Sequence, residues 1–379
     1  MNISSAYIHI PFCQQICHYC DFTKFFYNEQ LADEYLKALE KEIHTYVPGD
    51  KEVLETIFVG GGTPTALTAP QLKRLLEMID QHFAIDKCRE YTFEANPGDL
   101  DKEKVKLLKD YGVNRISLGV QVFDDKMLEK IGRVHRVKDV YTNVDRLLNE
   151  GLTNISIDLM YALPGQTVSD FEKTIEEALQ FNLPHYSSYS LQIEPKTVFY
   201  NRYKKGKLVK PPEDDEAEMY ELLQRKLSAA GVSQYEISNF AKPGYESQHN
   251  LTYWNNEYYY GIGAGSHGYL PGVRTINIRP LPAYVKKALA DGRPILHEEP
   301  VGEKERMEEE MFLGLRKAEG VSMDRFEKKF DRPMKEVFGS AILLLEQRGL
   351  ISQSNQRVFL TDKGKILGNE VFQEFLIDS

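Results

Sequence analysis

Residues 7–22 read Tyr-Ile-His-Ile-Pro-Phe-Cys-Gln-Gln-Ile-Cys-His-Tyr-Cys-Asp-Phe. A short apolar run of β type opens the stretch. Three of the chain's four cysteines follow, as Cys13-x3-Cys17-x2-Cys20. That spacing is too tight for a disulfide framework. It is also one ligand short of a closed structural zinc site, which takes four ligands, usually in two separated pairs. An iron–sulfur cube takes four thiolates, one per iron. Three thiolates on one loop would bind three irons and leave the fourth open to a ligand from outside. Two plainer readings use the same residues: a partial zinc site completed by His9 or His18, or a chance cluster of small hydrophobes.

Outward from this loop, β-type runs alternate with helical patterns. Strands are expected at 6–10, 56–59, 90–95, 115–120, 154–159 and 185–192. Between the first two, Leu31, Tyr35, Leu36, Leu39 and Ile43 recur at helical spacing, with Gly49 and Asp50 closing the segment. After Thr68, a plausible N-cap, Leu72, Leu75, Leu76 and Ile79 share a face. Six β–α units in series predict a parallel sheet with right-handed crossovers. The expected fold class is α/β, an open partial (β/α)6 TIM-like barrel over 1–232 with its chemistry at the C-terminal strand ends. Residues 233–300 read as a connecting region holding a β-type run at 234–240 and an aromatic, Gly-rich stretch. Residues 301–379 read as three helices, a hairpin and a final helix, a small winged-helix-like unit. No basic recognition face accompanies it, which favours a packing or lid role.

A chain of 379 residues with 42% apolar and 27% charged residues suits a large domain plus smaller units. The formal charge of −10 argues against sequence-independent nucleic-acid binding. Few, clustered cysteines suit a reducing compartment. The start carries no basic and apolar leader pattern, and no 18-residue apolar stretch follows, so the cytoplasm is the expected address. That leaves room for transient contact with a membrane surface, and for a monomer or a homodimer.

Further polar residues fall near expected strand ends. Gly60-Gly61-Gly62-Thr63-Pro64-Thr65 follows the second strand, where glycines let backbone approach a ligand. Glu94 ends the third strand and Gln121 the fourth. Arg133 can clamp a carboxylate, and Asp158 is a charge in an apolar run. Cys88, just before the third strand, reads as a bystander.

Taken together, residues 7–22, GGGTPT, FEANPG, the stretch from SLGVQ to GRVH, and DLMYALPGQT resemble the oxygen-independent coproporphyrinogen III oxidase-like branch of the radical S-adenosylmethionine (SAM) proteins. The resemblance covers nearly the whole chain. It implies a [4Fe–4S] cluster on Cys13, Cys17 and Cys20. It implies SAM held by Tyr7, Gly61, Gly62, Thr63, Glu94, Gln121, Arg133 and Asp158, with Tyr19 near the adenine and the glycine edge at the methionyl amino group. The oxidase carries a fourth cysteine where Phe22 stands, and an extension ahead of the cluster motif where only twelve residues precede Cys13 here. Both departures resemble the heme chaperones of the HemW branch. His249-Asn250-Leu251-Thr252-Tyr253-Trp254 matches that branch's HNxxYW signature, which implies heme on His249, Tyr253 and Trp254; the plainer reading of His249 is a histidine buried by hydrogen bonding in an aromatic-rich loop. Gly261–Gly265 would let a large planar ligand approach backbone. Two functions are therefore expected: a carrier delivering heme to an acceptor protein, or an oxidative decarboxylase of coproporphyrinogen III. No residue is assigned as catalytic.

Overall fold

The six expected strands all form, from runs in which β-branched or aromatic residues recur. The structure is a computed structural model that describes residues 3–377. In chain order the strands are β1 (Ser5–Ile10), β2 (Thr56–Gly61), β3 (Glu90–Ala95), β4 (Arg115–Gln121), β5 (Ile155–Tyr161) and β6 (His185–Ser190). They pair in sequence order, all parallel, with helices in the crossovers. Asn28 caps Glu29–Tyr46 by accepting from the Leu31 N–H, and Thr68 forms a reciprocal capping box with Gln71 ahead of Ala69–His82.

Residues 233–300 lengthen the same sheet at both edges. Beyond β6 lie β7 (Ser233–Gln234) and β8 (Asn239–Ala241), antiparallel to what precedes them. The β-type run expected at 234–240 is thus two short strands. Glu236 breaks it, because its carboxylate turns back to accept from Ser238 N and Asn239 Nδ2. Beyond β1 lies β9 (Tyr259–Ile262), a seventh parallel strand, followed by antiparallel β10 (His267–Leu270), β11 (Val273–Asn277) and β12 (Ile295–Pro300). The result is one twelve-stranded mixed sheet whose ends do not meet, an open barrel.

One apolar core runs from Ala6 to Ala288 and a second from Met307 to Phe375. The second belongs to a smaller unit: helices Glu303–Gly314, Met323–Phe330 and Met334–Gln347 around a three-stranded antiparallel sheet, with two short helices after it. This unit docks through cations on backbone carbonyls just past Trp254. Arg325 Nη2 donates to Asn255 O at 2.7 Å and Lys329 Nζ to Asn256 O at 2.9 Å. Among the described residues no helix is long and apolar enough to cross a membrane.

Candidate functional site: the barrel chamber and its floor

Cys13 ends a two-residue strand, Phe12–Cys13, that pairs with Phe25–Phe26 and closes residues 13–26 into a loop. Histidines fasten it. A carbonyl can only accept, so His9 Nε2 donates to Thr23 O (2.7 Å), leaving Nδ1 to accept from Tyr7 Oη (2.9 Å). His18 Nδ1 likewise meets Lys130 O at 3.0 Å. Both histidines that could complete a zinc site are therefore loop anchors. Cys13, Cys17 and Cys20 line one cavity of about 470 Å³ at the C-terminal end of the barrel. Burial pushes the Cys13 thiol up to about 12 and raises that of Cys20 as well. Cys88 lies outside this cavity, its Sγ donating to the carbonyl of Glu90.

The remaining walls come from alternate residues of neighbouring strands, the period that sends every second side chain into the lumen. On β4 these are Arg115, Ser117, Gly119 and Gln121; on β5, Asp158 and Met160; on β6, Ser187 and Tyr189. Gly61, Gly62, Thr63, Glu94, Arg133 and Tyr19 complete the set expected from sequence. Two expectations shift in depth. Asp158 lies in the middle of β5 rather than at its tip, and accepts from Ser117 Oγ at 2.9 Å and Ser156 Oγ at 3.2 Å. Tyr7 lies in the middle of β1, stacked on Phe58 and bonded to His9, and does not line the cavity. Sequence reading missed Asn96, Arg115, Ser117, Ser187, Tyr189 and Asn250. The period-two pattern on β4 and β6 would have found four of these.

Close backbone packing shapes the chamber. Gly61 N donates to Glu94 Oε2 at 2.8 Å, and a Cβ on Gly60 would come within 2.7 Å of that carboxylate. A Cβ on Gly119 would meet Arg133 Nη2 at 2.6 Å. Arg133 passes over this glycine, donates to its carbonyl, and sets Nη1 at 3.4 Å from Cys17 Sγ; its Nε is buried with no partner. A bulge between Gly119 and Gln121 turns Gln121 into the left-handed region (φ 70°) and into the chamber. Burial raises Glu94 to about 7, helped by nearby Asp158 and opposed by the Gly61 N–H. Asn96 Nδ2 donates to Thr63 Oγ1 (2.8 Å), whose hydroxyl points at Cys13 Sγ (3.9 Å).

At the opposite, N-terminal end, helix Gln248–Trp254 seals the barrel. Glu90, at the start of β3, accepts from Gln248 N (2.7 Å), Ser247 Oγ (3.0 Å) and His249 N (3.2 Å), neutralising the helix N-terminus. His249 is 1% exposed and stacks on Phe58. Both its ring nitrogens are engaged, Nδ1 with Thr56 Oγ1 (2.7 Å) and Nε2 with Tyr253 Oη (2.8 Å). The donors run in one direction: Tyr253 to His249, His249 to Thr56, Thr56 to Ser5, Ser5 to Thr252, and Thr252 to the Gln248 carbonyl. Burial, with Arg115 nearby, lowers His249 to about 3, so the imidazole is neutral. Asn250 alone of this motif lines the chamber, while Tyr253 and Trp254 line a separate cleft. The glycines of 261–265 pack against protein. A Cβ on Gly261 would sit 2.0 Å from His267 O, and one on Gly265 2.3 Å from Thr23 Oγ1, so no planar ligand fits there.

A family model described as the radical SAM superfamily matches residues 7–178, and one described as the HemN C-terminal domain matches 301–367. The protein "Heme chaperone HemW" of Bacillus subtilis is 53% identical over 99% of both chains. That of Lactococcus lactis is 48% identical over 99% of this chain and 98% of its own. The solved structure of Escherichia coli coproporphyrinogen III oxidase (HemN) superposes with a TM-score of 0.86 over 99% of this chain and 90% of that one. At 22% identity it shows a shared fold.

Proposed function

This chain belongs to the HemW family of heme chaperones, with a radical SAM domain, and on that premise we propose that it binds heme and passes it to an acceptor protein in the cytoplasm. The observation that carries the reading is full-length identity of 53% to a protein named for that role. Phe22, 64% exposed where the oxidase has a further cysteine, agrees with it.

The donor set fits a [4Fe–4S] cluster on Cys13, Cys17 and Cys20, since three thiols line one chamber and supply no fourth ligand. Cluster and SAM supply one-electron chemistry when bound. The chain's own residues would hold SAM. Gly61 and Gly62 offer backbone to the amino group. Gln121 and the unpartnered Arg133 Nε suit a carboxylate, and Glu94 and Asp158 suit ribose hydroxyls. Tyr19 supplies a flat face for adenine.

For heme we propose Tyr253 and Trp254 as contacts and His249 as the candidate iron ligand. Iron needs a free imidazole lone pair, and the Nε2 lone pair here accepts from Tyr253 Oη. Ligation through His249 therefore requires Tyr253 to turn away. Anaerobic titration of purified protein with hemin tests the carrier reading, with one heme per chain as the expected result. Absence of heme binding, with SAM-dependent conversion of coproporphyrinogen III to protoporphyrinogen IX, would replace the carrier by the oxidase.

A further inference from the structure

Between the cysteine loop and the ends of β2 and β3, an uncharged polar pair reaches the most buried of the three thiols. Thr63 lies two residues past β2 and is buried, as is Cys13, while Asn96 follows β3 directly. We propose that Asn96 is a positioning residue that aims the Thr63 hydroxyl at the Cys13 sulfur, and that this contact raises the reduction potential of the cluster; the proposal rests on the cluster reading.

The direction of each bond follows from its neighbours. A Cβ on Gly119 would have Arg133 Nη2 at 2.6 Å, Gln121 Nε2 at 3.0 Å and Asn96 Oδ1 at 3.3 Å. The oxygen of the Asn96 amide thus sits on the side of two nitrogen donors, where an acceptor belongs. Its nitrogen faces Thr63 and donates to Oγ1 at 2.8 Å. With a lone pair engaged in that way, the hydroxyl hydrogen turns outward, and Cys13 Sγ, 3.9 Å away, accepts it. Backbone keeps the pair in register with the loop, since Thr63 N donates at 2.7 Å to the carbonyl of Phe12, one residue before Cys13. Burial of Thr63 also keeps water from competing for the hydroxyl. Cys17 has a donor of another kind, the Arg133 guanidinium at 3.4 Å. The Cys13 donor carries no charge, so it can be removed without disturbing that cation. Hydrogen bonds to the sulfurs of an iron–sulfur cluster help set its potential, and a donor favours the reduced state because that state carries the extra negative charge. Thr63 and Asn96 thereby set how readily the cluster gives up an electron, a property separate from how firmly the cysteines hold iron.

The test is a redox titration of full-length, anaerobically reconstituted protein in the absence of SAM, with iron counted per chain. Thr63→Val removes the hydroxyl at nearly constant volume. At a fixed ambient potential it should lower the ratio of reduced to oxidised cluster about tenfold, which is about 59 mV for a one-electron couple. Asn96→Leu, which leaves the hydroxyl unaimed, should lower the ratio about threefold. Thr63→Ser keeps a hydroxyl and should stay within about twofold of wild type. Iron per chain should be equal in all four proteins, which separates a shifted potential from a damaged loop. Asn96→Leu carries the test if Thr63→Val loses iron. A wild-type potential in iron-loaded Thr63→Val or Asn96→Leu, or a Thr63→Ser protein shifted as far as Thr63→Val, overturns the proposal. Wild-type protein that takes up no cluster overturns the cluster reading itself, which unshifted potentials would leave standing.

Discussion

The two ends of the barrel both bury polar side chains and hold them in opposite ways. At the N-terminal end His249, Thr56, Ser5, Thr252 and Glu90 form a closed hydrogen-bonded floor in which both imidazole nitrogens are bonded. At the C-terminal end Arg133 Nε has no partner, Gln121 is held in a left-handed conformation, and three thiols share a cavity. Buried polar groups are normally paired, so the closed His249 network marks structure, and the unpaired Arg133 Nε beside three thiols marks a place prepared for something else.

Four measurements break or sharpen that contrast. The largest effect belongs to the thiols. Anaerobically reconstituted protein should carry about four irons per chain, and Cys13→Ala, Cys17→Ala or Cys20→Ala should each remove nearly all of it. Cys88→Ala should leave the iron intact. Zinc in place of iron in protein handled without oxygen would collapse the distinction.

Next come the unpaired groups at the open end. Arg133→Ala and Glu94→Ala should each weaken SAM binding by about tenfold or more, with cluster iron retained. Equal loss of iron and SAM would mean that these residues hold the fold, as the floor does.

The floor should respond in stability. His249→Ala deletes two buried hydrogen bonds and a ring stacked on Phe58, and should lower unfolding free energy by about 2–4 kcal/mol in denaturant titrations. Iron and SAM should remain. Unchanged stability would show that His249 is dispensable to the floor and strengthen its case as an iron ligand.

The smallest effect is a slope with pH. Buried Glu42 accepts from Gly263 N, Asn277 Nδ2 and Tyr284 Oη, yet burial still raises it from 4.5 to about 7. The folded state thus holds a proton that the unfolded chain releases. The associated stability is full below about pH 4.5 and is lost as pH rises to about 7, then flat. Glu94 at the open end carries the same sign. Buried His249, lowered to about 3, carries the opposite sign and gains stability as pH rises toward 6.5. The test is therefore a difference: the stability of wild type minus that of Glu42→Gln should fall from about pH 5 to 8, and a difference that stays level would contradict the burial of Glu42.

Much of this was legible in the chain. Six strands and the Thr68 cap follow from local pattern, and the cysteine spacing pointed to a cluster. The seventh parallel strand, Tyr259–Ile262, escaped notice because its aromatic and glycine residues carry no clean alternation. Gly261 and Gly265 read as openings for a ligand, whereas tertiary packing fills the space above them. The floor was illegible for a different reason. Its bonds join residues 247, 193 and 157 positions apart, and no local preference encodes such pairs. A structural His249 is one reading of its aromatic-rich surroundings, but its partner Thr56 becomes visible only once the strands' N-terminal ends are brought together.

Helix Gln248–Trp254 separates two compartments with a single layer of backbone, Asn250 facing the chamber and Tyr253 and Trp254 facing the cleft. A wall shared in this way cannot move for one occupant alone. If a molecule in the chamber displaces the helix, affinity in the cleft changes by some factor. A molecule in the cleft must then change affinity in the chamber by the same factor, because the coupling free energy belongs to the pair. Loading and release would then be two faces of one equilibrium, with seven residues as its pivot.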